Sequence, residues 1–151
     1  MRLFVLDTDT LTLHQRGHAM VCDNVALHDS EDLAISVITV EEQLSGWYTV
    51  LRQAKSKEKL ARAYSQLAAC VESLSDLRVL PFNEACIDRF EALRAARLPV
   101  GPMDLRIAAT VLEFGGTLVT RNVRDFSLVP GLVIEDWCVP PSVHDRRASS
   151  E

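Results

Sequence analysis

The sequence predicts an α/β domain: a central parallel sheet of four to five strands with helices on both faces. Three observations carry that expectation. Apolar runs of strand length alternate with longer stretches of helical spacing along nearly the whole chain, the pattern of β–α–β units joined by right-handed crossovers. The runs are continuous, as in LFVL and LAISVI, rather than alternating with polar residues, which fits strands covered on both sides. No internal repeat or linker divides the chain, and its 151 residues are enough for one ordinary domain with a sizeable core.

The elements follow in order. LFVL (3–6) is the first strand and runs straight into two aspartates, Asp7 and Asp9. Residues from about 9 to 18 read as a short helix ending at Gly17, a residue suited to the left-handed stop, and a second short helix covers 19–28. LAISVI (33–38) is the second strand, and 39–54 continues with helical spacing. Residues 55–59 form a charged break. In 60–77 the apolar residues Leu60, Tyr64, Leu67, Val71 and Leu74 fall on one helical stripe. RVLPF (78–82) is the third strand, ended by Pro81, and 83–98 is a helix broken by LPVGP. Residues 103–114 form a strongly apolar helix stopped by Gly115 and Gly116. TLVT (117–120) is the fourth strand and GLVIEDW (131–137) the fifth. The domain is expected over 1–138, with a flexible tail lacking any apolar face over 139–151.

Composition narrows the class. With 48% hydrophobic and 25% charged residues the chain reads as a soluble globular protein. The N-terminal apolar run is too short for a signal-peptide core, and no stretch approaches a membrane span. Cys22, Cys70, Cys86 and Cys138 are scattered without CxxC spacing, so they read as reduced thiols of a cytoplasmic protein. The net charge of −5 argues against a protein that coats nucleic acid non-specifically. Any nucleic-acid chemistry here is local and needs help in neutralising phosphates.

Ligands of parallel sheets bind outside the carboxyl ends of the strands, and acids sit at those places. Asp7 follows the first strand, and Glu42 follows the second by a few residues. Asp104 opens the helix that feeds the fourth strand, and Asn122 and Asp125 follow the fourth strand. Each has an ordinary explanation alone. Asp7 suits a helix cap, Thr39 to Glu42 matches a capping box, Asp104 suits a first turn after Pro102, and Asn122 and Asp125 suit a turn. Capping does not require the capped ends to converge. Carboxylates that do converge repel one another, and must be protonated or bind a cation. An oxygen-only donor set suits Mg²⁺ or Mn²⁺. His14, His18, His28 and His144 offer no pairing with cysteine that would suit zinc. Such a metal acts on phosphates by activating and orienting water.

FVLDTDTLTL, ISVITVEEQLSGW, MDLRIAATVLEFGGTLVTRN and VRDFSLVPGLVIEDW, in this order and at this spacing, resemble a PIN domain of the VapC toxin type from about Leu3 to Trp137. The resemblance implies an αβα sandwich and an Mg²⁺- or Mn²⁺-dependent endoribonuclease. It also implies a cognate antitoxin that holds the toxin inactive, and a homodimer. The family acids fall on Asp7, Glu42 (rather than Glu41) and Asp104. Relatives carry a fourth acid either at the position of Asn122 or three residues later, where this chain has Asp125; Asp125 is favoured, with Asn122 orienting. Asp7 and Asp104 are then the direct metal ligands, Glu42 and Asp125 complete the acidic shell, and Thr8 and Thr120 orient carboxylates or water. Asp9 stands where asparagine is common. Arg16, Arg106, Arg121 and Arg124 are candidates for holding RNA phosphates or for pairing with the acids. Trp47, Tyr48 and Leu51 mark a possible groove for a partner helix, or part of the core.

Two other readings compete. One is a PIN-fold binding module without catalysis, which the presence of all four acids argues against. The other is a small haloacid-dehalogenase-like phosphatase, since LDTDTL resembles its DxDxT opening. That chemistry needs a later lysine and acidic pair, but Lys55, Lys57 and Lys59 lie together in one segment.

Overall fold

The computed structural model describes residues 2–140; the expected tail lies, from residue 141 onward, outside the described residues. Among them the chain runs β1 (Phe4–Leu6), α1 (Thr8–Gln15), α2 (Ala19–Ala26), a 3-10 turn (Ser30–Asp32), β2 (Leu33–Ser36), α3 (Val37–Gln53) and α4 (Lys57–Ser75). It continues with β3 (Arg78–Leu80), α5 (Glu84–Ala95), α6 (Pro102–Phe114), β4 (Thr117–Val119), α7 (Val123–Phe126) and β5 (Val133–Glu135). The five strands form one sheet in the order β3-β2-β1-β4-β5, and every pair is parallel.

The continuous apolar runs arise because successive side chains of a strand point to opposite faces, and here both faces are covered. Val5, Ala34 and Leu118 enter one core with Phe90, Ile107 and Phe126. Their neighbours Phe4, Leu6, Ile35 and Val119 enter the other with Leu11, Leu74 and Trp137. The sheet is therefore sandwiched between α5–α6 on one side and α1 and α4 on the other. Successive strands step from β1 to β2 to β3, and the chain then returns to pair β4 on the other side of β1. The order reverses beside β1, the point at which such sheets open a crevice. Gly115 makes the return possible. With φ at 66° it ends α6 in the left-handed region, while Gly116 donates its N–H to Val111 (3.0 Å) and Thr117 donates to Leu3 (2.8 Å).

Two boundaries differ from the sequence expectation in ways that matter. The second strand ends at Ser36 rather than residue 38, and α3 starts at Val37, because Ser36 Oγ accepts the Thr39 N–H (3.2 Å) and caps the helix. Glu42 therefore sits well inside α3 and caps nothing. Similarly Ser56 caps α4 through the Lys59 N–H (3.2 Å), so Lys57 and Lys59 belong to a helix rather than a break. The turn expected around Asn122 closes into the single helical turn α7, held by insertion of Phe126, which is 1% exposed, into the core.

The segment after β5 is fastened by Asn24. Its buried amide donates to the carbonyl oxygens of Trp137 (3.1 Å) and Val139 (3.0 Å), and Trp137 stacks on His28 with ring centroids 4.6 Å apart. Asn24→Ala strands these carbonyls, which lowers stability by about 1–3 kcal/mol. Urea or thermal unfolding measures this, and a change within ~0.5 kcal/mol, the level of ordinary surface substitutions, would show that the amide fastens nothing.

Candidate active site

The carboxyl ends of β1 and β4 and the start of α6 meet at a cleft of about 670 Å³ lined by Asp7, Thr8, Asp9, Thr12, Glu42, Asp104, Arg121, Asn122 and Phe126. Asp7 is placed by the central strand. Its backbone N–H continues the sheet by donating to Val119 O (3.0 Å), and its side chain caps α1 by accepting the Thr10 N–H (2.8 Å). The capping explanation is thus correct for one carboxylate oxygen. Thr8, the next residue, turns to α3: its hydroxyl donates to Glu42 Oε1 (2.7 Å) and meets the Thr39 hydroxyl at 3.1 Å. Glu41 is exposed and lies off the cleft wall.

Asp104 reaches the cleft from the first turn of α6, a helix begun by Pro102. Thr120 is fully buried at the end of β4, where its hydroxyl accepts the Asn122 N–H (2.9 Å). Asn122 directs its own amide to Asp125 Oδ2 (3.1 Å). Asp125 stands behind Asn122 rather than on the cleft wall. Phe126 and Thr12 line the cleft but carry no sequence motif; the apolar pair Phe126 and Val129, spaced as on a helix, is the only hint that α7 turns inward.

The acids feel one another. Burial pushes the Asp104 carboxyl up to about 6, and the charges of Glu42, Asp7 and Asp125 add to the rise. Burial also raises Asp7, which is 6% exposed, against the Thr120 hydroxyl and the Thr10 N–H, which favour its charged form. Among the described residues no three acidic, imidazole or thiol side chains form a ready-made metal cage. The donor set nevertheless fits a hard cation that uses one or two carboxylates and completes its shell with water. Among the described residues Asp104 is the carboxylate of the four that accepts no side-chain or backbone hydrogen bond, whereas Glu42 and Asp125 are held by a neighbouring side chain and Asp7 by the Thr10 N–H and the Thr120 hydroxyl.

Of the four arginines near the site segments, one lines this cleft. Arg121 reaches across to Asp9, Nε to Oδ2 (2.5 Å) and Nη2 to Oδ1 (3.2 Å), and that bond holds the guanidinium firmly protonated. Arg16 lines the adjoining groove with Thr8, Glu42 and Trp47. Arg106 turns away, its guanidinium 4.8 Å from the Phe90 ring centroid, and Arg124 is exposed. Trp47 also lines an apolar groove of about 640 Å³ with Leu11, Cys70 and Leu77; Tyr48 is exposed and Leu51 half-buried.

Asp104 holds its proton more tightly in the fold than in the unfolded chain, first because burial disfavours its charged form and then because Glu42, Asp7 and Asp125 repel it, so the cost of ionising it is absent below about pH 4 and complete above about pH 6. In EDTA at neutral pH, Asp104→Asn should therefore be the more stable protein. Asp104 is partly exposed, and solvent screens the effect to about 1 kcal/mol, or ~2–4 °C in melting temperature. Melting curves at pH 4 and pH 7 check this; a difference that does not vanish at pH 4 would rule out ionisation of Asp104 as its cause.

Residues 4–132 match the family model of the PIN domain. The chain is 33% identical to the tRNA(fMet)-specific endonuclease VapC of Salmonella typhimurium over 144 residues, 91% of this chain and 100% of that protein. Its structure resembles that of DNA-bound VapBC from Salmonella typhimurium with a TM-score of 0.74 at 31% identity, covering 91% of this chain and 100% of that one. A toxin–antitoxin complex from Klebsiella pneumoniae gives a TM-score of 0.65 at 26% identity, covering 85% and 94%. A parallel sheet with acids gathered where its order reverses, matched by these relatives over nearly their full lengths, shows that the chain belongs to the PIN domain family, as a member of the VapC type.

Proposed function

We propose that the chain is a divalent-metal-dependent endoribonuclease, the toxin of a toxin–antitoxin pair, which hydrolyses RNA phosphodiesters at the acidic cleft. The observation that carries the chemistry is the crowding of Asp104 by burial and by three other carboxylates, an arrangement that a cation relieves. Asp7 and Asp104 would hold Mg²⁺ or Mn²⁺, with Glu42 and Asp125 acting through water. When bound, the metal supplies a more acidic water and charge stabilisation for the departing oxygen.

The chain's own residues prepare the place. The Asp7 N–H bond to β4 and the Thr10 cap fix one carboxylate on the cleft wall. The Thr8 hydroxyl keeps Glu42 turned toward the site. Thr120 and Asn122 are joined by hydrogen bonds that continue to Asp125 and orient that carboxylate. Among the described residues no paired histidines, the groups of metal-free ribonuclease chemistry, line the cleft. The same reading gives the chain an antitoxin partner, and the groove holding Trp47 and Leu11 suits the apolar face of a helix.

Purified protein incubated with total cellular RNA should produce discrete cuts with Mn²⁺ and none with EDTA. Asp7→Asn should abolish them while leaving the fold intact, and Glu42→Gln should slow them by about 10–100-fold. Unchanged cleavage by Asp7→Asn would overturn the assignment. A folded wild-type protein that neither cuts RNA nor binds Mn²⁺ would favour the non-catalytic binding module.

A further inference from the structure

An acidic cleft on a chain of net charge −5 repels the polyanion it is proposed to cut, so a cation must meet the phosphate. Among the described residues lining the cleft, Arg121 is the one cationic side chain. It is occupied: Asp9, in the first turn of α1, holds it by two hydrogen bonds from across the cleft mouth. Two of the five guanidinium N–H donors are used in this way, in the same forked geometry with which arginine grips a phosphate. Both partners are about half exposed, 53% and 48%, and exposed ion pairs of this kind are weakly held and readily exchanged.

Resting on the ribonuclease reading above, we propose that Arg121 is the phosphate-binding residue of the cleft and that Asp9 holds it in reserve. An incoming RNA phosphate takes the place of the Asp9 carboxylate on the guanidinium. The exchange leaves the number of arginine hydrogen bonds unchanged and moves positive charge from the rim onto the substrate. Asp9 thereby weakens RNA binding. It competes for the arginine, rather than merely adding one more negative charge.

The test compares wild type, Asp9→Asn, Arg121→Gln and the double variant, with Glu41→Gln as a control that removes an acidic charge outside the cleft. Each is checked for folding by its melting curve. Filter binding of bulk bacterial tRNA with Ca²⁺ is measured over a range of salt, and Mn²⁺-dependent cleavage of the same tRNA is measured separately. Arg121→Gln should weaken binding about tenfold and lower the slope of log affinity against log salt by about one. Asp9→Asn should tighten binding about threefold or more, chiefly in KM during cleavage, and the double variant should match Arg121→Gln. Glu41→Gln should bind as wild type does.

No tightening in Asp9→Asn, or tightening that survives without Arg121, overturns the reserve role. Cleavage by wild type alongside either result leaves the nuclease reading standing. The expected binding pattern with no cleavage upholds the Arg121–Asp9 exchange and overturns the nuclease reading; no binding by any of the proteins overturns both.

Discussion

Everything at the cleft depends on the pairing of β1 with a parallel strand on each side. Phe4, Val5 and Leu6 pair with Leu33, Ala34 and Ile35 on one edge and with Thr117, Leu118 and Val119 on the other. A three-residue strand is held so firmly because its side chains divide between two dry cores and its backbone groups have no water to fall back on. Asp7 is the next residue along this rod. The same ladder continues through its N–H, so the carboxylate inherits the rigidity of the core although it faces a cleft.

The fold brings charge into an unfavourable place and then restrains it. Burial raises both Asp7 and Asp104, and among the described residues neither forms an ion pair. Around them the neighbouring polar groups are committed: Thr8 to Glu42, Asn122 to Asp125, the Asn122 N–H to Thr120. A half-satisfied polar cluster in a low-dielectric setting is costly. Stability was traded locally for a preformed set of oxygen donors, and the two cores, with Val5, Ala108, Leu118 and Val119 at 0% exposure, supply the stability that tolerates it.

Charge is also sorted by distance from the site. Arg106 is two residues from Asp104 on α6, about half a turn, so the helix carries it to the opposite side, where it rests on Phe90 and donates to Met103 Sδ (3.2 Å). Arg89 pairs with Glu113 on the outer surface. Among the described residues only Arg121 is carried to the cleft, because it directly follows β4 and Thr120. An acidic protein can thus present one positive group to a polyanion, and the Asp9 carboxylate decides when that group is free.

The sequence by itself determined the class of fold, the strand segments and the acids at their ends. Apolar runs without alternation require two covered faces, and LFVL followed by Asp7 could hardly end elsewhere than at a sheet edge. It also pointed to Asp104, since Pro102 and Gly115 bracket α6. It could not say where α3 begins, because Val37 and Ile38 have strand-like side chains, and the Ser36 cap that makes them helical competes with an equally good box at Thr39. That ambiguity hid the fact that Glu42 has no capping duty. Only the tertiary structure decided that Asp125 stands behind Asn122, that Arg106 leaves the site and that Asp9 meets Arg121. The last pair lies 112 positions apart. Local sequence governs which turn or strand a residue enters, whereas contacts of that range arise only when the sheet order brings β1 and β4 side by side.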